Sequence, residues 1–362
     1  MNDKLAYIGA IIDGEGCLLI GRKRHRMTGK IKYQPSISIV SKDKNLIDML
    51  NIKFYGITNI SGHNPKTNEK YYRWLLTGFN KIESFLKEIM PFILIKRKQA
   101  EFLLNFIKSR KTSVNGKKYL PYNDVDIYLF EEIKKLKKIY PMSLPSYNFT
   151  GDERLDYLAG LIDGEGTVTI AKSKHINSFN NKKIIFTPQI IITNTDKRLM
   201  EFLKKEFGGF IIEKKREGKW RTIYQWHMQG LKEDFFKKLN GRLIIKQPQL
   251  SLILEYIESR KINYTRENEI EIFLKMQKLN KKGKMNYSYE NLKKYTSLIR
   301  NPRKFFITKD ELNSLYWDRG LSMRQIAKMY DVRHNTIYER MAKYSIPKRA
   351  SAIAVSMGKD NS

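Results

Sequence analysis

Two short runs hold the residues most able to do chemistry. Asp13-Gly14-Glu15-Gly16 and Asp163-Gly164-Glu165-Gly166 each close an apolar helical stretch. Glycines after a helix are ordinary stops. The carboxylates are not, because the C-terminal end of a helix carries partial negative charge and disfavours an acid by about a few tenths of a kcal/mol. If the two helices pack together, Glu15 and Glu165 also approach each other, and like charges repel. A divalent cation between them would relieve both effects. Hard oxygen donors, with the carbonyls of Gly14 and Gly164 close by, suit Mg2+. A single such run would read as a tight turn with exposed acids. Two of them, each ending an apolar helix, favour the metal.

The runs belong to a longer duplication. Leu5-Ala6-Tyr7-Ile8-Gly9-Ala10-Ile11-Ile12 precedes the first, and Leu155-Asp156-Tyr157-Leu158-Ala159-Gly160-Leu161-Ile162 precedes the second. Pro35 with Pro188, Asp43 with Asp196, Gly56 with Gly209, Trp74 with Trp226 and Lys96 with Lys246 keep step, at offsets of 150 to 153 residues. One register shared by so many landmarks marks an internal repeat.

The elements that must position the acids follow from this. Each copy opens with the apolar helix, Asn2 or Asp152 standing where an N-cap belongs. The small pairs Gly9-Ala10 and Ala159-Gly160 would let the two helices pack closely at a pseudo-twofold axis. A strand follows (Cys17 to Arg24; Thr167 to Lys174), and a second is expected to start near Pro35 or Pro188. A helix from Asp43 or Asp196 should stop at Gly56 or Gly209. A hairpin then carries Trp74 or Trp226, and helices close the unit, giving αββαββα. The strands alternate between apolar and polar residues, so each sheet should have one dry and one wet face. Lys23, Ser36, Ser38 and Arg73 in the first copy, and Thr169, Ser173, Gln189, Gln225 and His227 in the second, are candidates to contact nucleic acid from the wet face.

Composition agrees with such a partner. The chain has 362 residues and 69 Lys+Arg against 37 Asp+Glu, a net charge of +32. A chain this basic usually meets a polyanion. With 4 Trp, 21 Tyr and 18 Phe, it is no disordered basic tail. Its one cysteine, Cys17, excludes a disulfide framework and a cysteine-based zinc site within one chain. No apolar run is long enough to cross a bilayer, and residues 1–5 lack the features of a secretory signal. The expected location is intracellular and not secreted: the cytoplasm or nucleoid of a bacterium or phage-infected cell, or an organelle. No P-loop or dinucleotide glycine pattern is present.

Residues 8–16 and 158–166 resemble the LAGLIDADG motif; Leu158 to Gly166 nearly spell it, while the first copy has Gly9-Ala10 where the motif has Ala-Gly. The resemblance runs from residue 1 to about residue 260. It implies an α+β fold of two pseudo-symmetric αββαββα units packed through their motif helices. It also implies a single-chain homing endonuclease, active as a monomer on double-stranded DNA. By that resemblance Glu15 and Glu165 hold catalytic metal, Mg2+ or Mn2+, with Ca2+ binding but not supporting cleavage. Lys96 and Lys246 take the place of the family's active-site lysines. Ser41 and Asn194, at the end of the second strand, are weaker matches to a residue that orders water. Two halves of about 33 Å each would cover roughly 20 base pairs or more.

The C-terminal part reads differently. Thr308-Lys309-Asp310-Glu311 and Ser322-Met323-Arg324-Gln325 are capping-box patterns. A third helix is expected from Asn335 to Tyr344. Ile326-Ala327, Val332 and Thr336-Ile337 have a spacing that resembles a helix-turn-helix, with Arg333, Asn335, Thr336 and Arg340 facing DNA. The expected organisation is a first unit at 1–110, a helical or extended linker at 111–151, a second unit at 152–263, a helical and basic linker arm at 264–306, the helix-turn-helix at 307–350 and a tail at 351–362. Alternatives are a non-cleaving DNA-binding regulator on the same fold, and a maturase binding intron RNA. The gene is expected to be intron-encoded or free-standing.

Overall fold

The computed structural model describes residues 4–24, 27, 29, 31–65, 68–111, 124–136, 144–176, 182–215, 221–262, 265–280, 289, 292, 307–330 and 332–349. The cap expected at Asn2, most of the basic arm and the tail lie outside these residues. The chain divides into two compact units. One comprises Met1–Ser173, Ile185–Ile257 and Ile272–Met285; the other comprises Lys174–Ile184, Glu258–Glu271 and Asn286–Ser362.

The duplication is built twice in chain order. The first copy runs α1 (Leu5–Glu15), β1 (Cys17–Arg24), β2 (Ile31–Ser41), α2 (Lys44–Phe54), β3 (Ile57–His63), β4 (Lys70–Thr77), α3 (Phe79–Ile89), a 3-10 turn at Met90–Phe92 and α4 (Arg97–Lys111). A connecting helix, α5 (Asp124–Lys135), follows. The second copy runs α6 (Gly151–Glu165), β5 (Gly166–Ile176), β6 (Lys182–Asn194), α7 (Lys197–Phe207), β7 (Phe210–Lys214), β8 (Ile223–Gln229), α8 (Glu233–Leu239) and α9 (Gln247–Ile262); α10 (Arg266–Asn280) comes next. The sheet orders match, β1-β2-β4-β3 and β5-β6-β8-β7.

Register explains the dry face. Ile37 and Ile39 on β2, Trp74 and Leu76 on β4, Ile190 and Ile192 on β6 and Trp226 on β8 are buried. They pair in the ladders Ile37↔Leu76, Ile39↔Trp74 and Ile192↔Trp226. Trp74 packs on Phe85, which meets Phe54 edge-on. A period-2 apolar pattern thus covers one side of each sheet with helices.

Several boundaries differ from expectation, each for a local reason. The prolines lie inside β2 and β6, not at their starts. The ladders to β4 and β8 begin one residue later, at Ser36 and Gln189, so a missing N–H costs no bond there. Asp43 and Asp196 do cap α2 and α7, accepting from Leu46 N and Arg198 N. Asp152, however, lies within the first turn of α6. Its cap is Thr150, in a reciprocal capping box with Glu153. The first copy's α2 ends on Tyr55 in the left-handed region, one residue before Gly56.

In the second unit, α11 (Lys309–Asn313) continues through a π-helical turn at Ser314–Asp318, and Gly320 takes φ +66°. Then come α12 (Met323–Met329) and α13 (His334–Lys343). Ser322 and Gln325 form the expected box. Thr308 accepts from Glu311 N, but the Glu311 carboxylate turns to accept from the Tyr330 hydroxyl, leaving that box half made. α13 starts one residue earlier than expected, with Arg333 at its N-cap. Ile307, Leu312, Ile326, Ile337 and Met341 form the core of this small unit. No described helix is long and apolar enough to cross a membrane.

Candidate active site at the paired helix ends

α1 and α6 meet over small residues. A Cβ on Gly160 would lie 2.3 Å from the Tyr7 carbonyl oxygen and 2.8 Å from Ala10 Cβ, so only glycine permits this approach. Gly9 serves another contact: a Cβ there would lie 2.5 Å from the Phe92 carbonyl oxygen, in its own copy's 3-10 turn. The Gly-Ala order of the first copy and the Ala-Gly order of the second therefore leave one methyl and one hydrogen facing each other between the helices.

This packing brings the acidic ends together. A Cβ on Gly14 would be 3.3 Å from Glu165 Cγ, and one on Gly164 would be 3.6 Å from Glu15 Cγ. Each glutamate thus rests over the other copy's glycine. Glu15 is exposed to solvent, yet partial desolvation against the facing helix raises its pKa, opposed by the charges of Lys96 and Lys246. Burial, with Glu15 adding to it, pushes Glu165 up to about 7, against a hydrogen bond from Asn194 and the charge of Lys96. Two crowded, partly desolvated carboxylates ask for a cation.

The two aspartates do different work. Asp13 Oδ2 accepts from Leu94 N at 2.6 Å, and its Oδ1 accepts from Ile95 N at 3.1 Å and Lys96 N at 2.8 Å. Asp163 does the same for Ile244 N, Ile245 N and Lys246 N at 2.6, 3.1 and 2.9 Å. These amides lead into α4 and α9, where the helix dipole favours an anion. An acid at the wrong end of one helix is satisfied at the right end of another. Each aspartate also accepts a hydroxyl from the opposite copy, Tyr157 to Asp13 and Tyr7 to Asp163, both at 2.8 Å.

The lysines follow from these loops. Lys96 Nζ donates to the carbonyls of Ile12, Gly14 and Gly16 at 2.9, 3.1 and 2.7 Å. Lys246 Nζ donates to Ile162 and Asp163 carbonyls at 2.6 and 2.7 Å. Each ammonium therefore closes the C-terminus of its own copy's motif helix, where a cation is favoured. Burial lowers the Lys96 pKa, opposed by Asp13 and Glu165. The Gly14 carbonyl already accepts from Lys96, and a second lone pair is left for another partner.

Ser41 and Asn194 are alike in one respect only. Ser41 Oγ accepts from Asp43 N, and Asn194 Oδ1 accepts from Asp196 N. Asn194 has an amide to spare, and it donates to Glu165 Oε2 at 2.6 Å. Two cavities flank the acids. One, of about 360 Å³, joins Lys96, Gln99 and Gly14 to Glu165 and Asn194. The other, of about 410 Å³, joins Glu15, Ser41 and Tyr71 to Gly164 and Ile245. Each cavity thus takes its glutamate from one copy and its lysine-loop residue from the other.

The sheet candidates share the faces opposite the core. Lys23, Ser36, Ser38 and Arg73 lie on one side of the first sheet, as the pairs Lys23↔Lys32, Cys17↔Ser38 and Val40↔Arg73 require. Gln189, Gln225 and His227 share a face of the second sheet through Gln189↔Gln229, Thr193↔Gln225 and Ile191↔His227. Thr169 and Ser173 alternate with buried Val168 and Ile170 on β5. Arg73 donates to Asn59. His227 is 8% exposed and stacks on Phe210, with ring centroids 5.2 Å apart, and its Nε2 is buried, so against expectation the ring is not presented on the open face. Arg333 and Asn335 are exposed, and Thr336 and Arg340 half-buried, at the start and far end of α13.

Sequence reasoning missed the double role of Asp13 and Asp163, and missed Tyr7 and Tyr157. The signal was present: Leu94-Ile95-Lys96 and Ile244-Ile245-Lys246 repeat, with Lys96 and Lys246 each 83 residues after its aspartate.

This arrangement, two paired helices with a four-stranded sheet from each copy, is similar in fold to solved LAGLIDADG homing endonucleases. The I-SmaMI LAGLIDADG homing endonuclease, solved bound to cleaved DNA, is similar over 78% of this chain and 98% of its own, at 18% identity and a TM-score of 0.54. I-LtrWI, solved bound to target DNA, is similar over 75% and 97%, at 18% identity and a TM-score of 0.52. I-GzeII, in complex with a DNA target, is similar over 78% and 99%, at 16% identity and a TM-score of 0.52. I-SmaMI is also known on an uncleaved target with calcium ions. No protein-family profile and no curated protein matches the sequence.

Proposed function

We propose that this protein is a site-specific endonuclease that hydrolyses both strands of a long, asymmetric DNA target with the help of divalent cations. The observation that carries the reading is the meeting of Glu15 and Glu165 over each other's glycines, beside the half-buried Lys96.

The donor set fits a hard divalent cation. Among the described residues no cluster of three or more His, Cys, Asp or Glu could hold a metal alone. Mg2+ is commonly held by one or two carboxylates, with water and substrate phosphate completing its shell. Glu15 and Glu165 would hold it, with the Gly14 and Gly164 carbonyls as further oxygen donors. When bound it would supply Lewis-acid charge to a phosphodiester. Lys96 and Lys246 hold positive charge beside the reacting phosphates, fixed by the carbonyls they close, so little reorganisation is needed as charge develops. Asn194 orients the Glu165 carboxylate. The wet sheet faces, with Lys23, Arg73, Gln189 and Gln225, read the duplex, and +32 of net charge draws it in. The three-helix unit reads a second stretch of DNA, presenting α13 with Arg333, Asn335, Thr336 and Arg340 to the groove.

The test is cleavage of a randomised duplex library by the full chain with Mg2+, sequencing the ends. Discrete double-strand cuts, lost in Glu15→Gln and Glu165→Gln while binding persists, support the reading. Binding without cutting by the unmodified chain refutes it in favour of a regulator.

A further inference from the structure

The two motif helices do more than bring Glu15 and Glu165 together. Tyr7 and Tyr157 are buried, one turn or more before the acids. Each donates its hydroxyl across to the aspartate of the other copy. That aspartate is the group holding the three amides of its own copy's lysine loop. The path is therefore Tyr157 to Asp13 to the loop of Lys96, and Tyr7 to Asp163 to the loop of Lys246. Each cavity pairs the same two partners: α6 supplies Glu165 to the one lined by Lys96, and α1 supplies Glu15 to the one lined by Ile245.

We propose that Tyr7 and Tyr157 are positioning residues: each fixes the opposite copy's lysine loop against the glutamate on its own helix. Neither touches the reacting groups. The helix that carries the acid also sets where the facing ammonium stands, through one hydroxyl and one carboxylate. Burial and the facing aspartate hold both phenols far above their ordinary pKa, so both remain donors throughout the working pH range. The bridge makes each half-site a product of both copies, and it predicts a crossed defect: damage in one copy appears in the loop of the other.

Phenylalanine tests this cleanly, because the ring contacts survive. Tyr157 packs against Phe149 and Phe202 through its ring alone. In the full chain, hydrogen–deuterium exchange is followed on peptides covering residues 94–96 and 244–246. Tyr157→Phe should speed exchange at 94–96 by about tenfold or more, the loss of one hydrogen bond to a charged acceptor, and leave 244–246 unchanged. Tyr7→Phe should do the reverse. Equal acceleration in both loops, or in neither, overturns the proposal, and a general loss of stability would show as the equal case. The second arm rests on the endonuclease reading. On a supercoiled plasmid carrying the target recovered from the library, Tyr157→Phe should slow the nicking of one strand and Tyr7→Phe that of the other, with target binding unchanged. Equal slowing of both strands overturns the positioning role. If the unmodified chain cuts nothing, that reading fails, and the exchange arm still decides the bridge.

Discussion

Glu165 should be a measurable cost to the metal-free protein. Its pKa stands at about 7 in place of 4.5, mainly through burial. Between those values the folded state binds a proton more tightly than the unfolded state, so stability falls as pH rises, at about 1.4 kcal/mol per unit. Above pH 7 the accumulated cost is about 3 kcal/mol. Glu165→Gln removes the charge and keeps an oxygen for the Asn194 amide. In EDTA, the variant and the unmodified protein should melt together below about pH 4.5. They should separate through the window, and by pH 8 the variant should melt about 4 °C higher. Mg2+ should then raise the unmodified protein and narrow the gap, because ligand binding stabilises the folded state. The assay is thermal melting across pH with and without Mg2+. A gap that does not change with pH, or a variant that is less stable at pH 8, would refute the claim that Glu165 is held against its charge.

Gly160→Ala should destabilise by about 1–3 kcal/mol, since its new carbon must displace the Tyr7 backbone and Ala10; chemical denaturation measures this, and an unchanged midpoint would show that the helices can spread freely. Asn194→Ser should make the second copy resemble the first, slowing one strand's cleavage in a strand-resolved assay while leaving the other near its original rate. Deleting residues 307–362 should weaken binding and shorten the footprint in a protection assay; an unchanged footprint would count against DNA reading by α13.

The duplication and the acids were legible because they rest on local pattern. An apolar period of 3.6, a DGEG stop and an alternating strand each declare themselves within about ten residues. Asp43 and Asp196 could be read as caps for the same reason. What could not be read is what depends on three-dimensional pairing. Gly9 and Gly160 look equivalent as small residues in a helix, yet one makes room for Phe92 and the other for Tyr7. Ser41 and Asn194 both end a second strand, and only the structure shows that the longer side chain reaches Glu165. Asp152 has the composition of a cap but is displaced by Thr150, because Glu153 completes a reciprocal pair with it. The aspartates' second role is a contact across 83 residues that no local window spans.

The contact of Ala10 with Gly160 has a bearing on how the chain can be divided. Were the first copy excised and allowed to self-associate through the same surface, Ala10 would confront Ala10 where the fused protein has room for a single methyl. The second copy alone would set Gly160 against Gly160 and leave a hollow. Neither product would recover the original spacing, and the acids at the tips would shift with it. The two segments have become complementary parts, and their joining in one polypeptide is built into the fit of a single CH3.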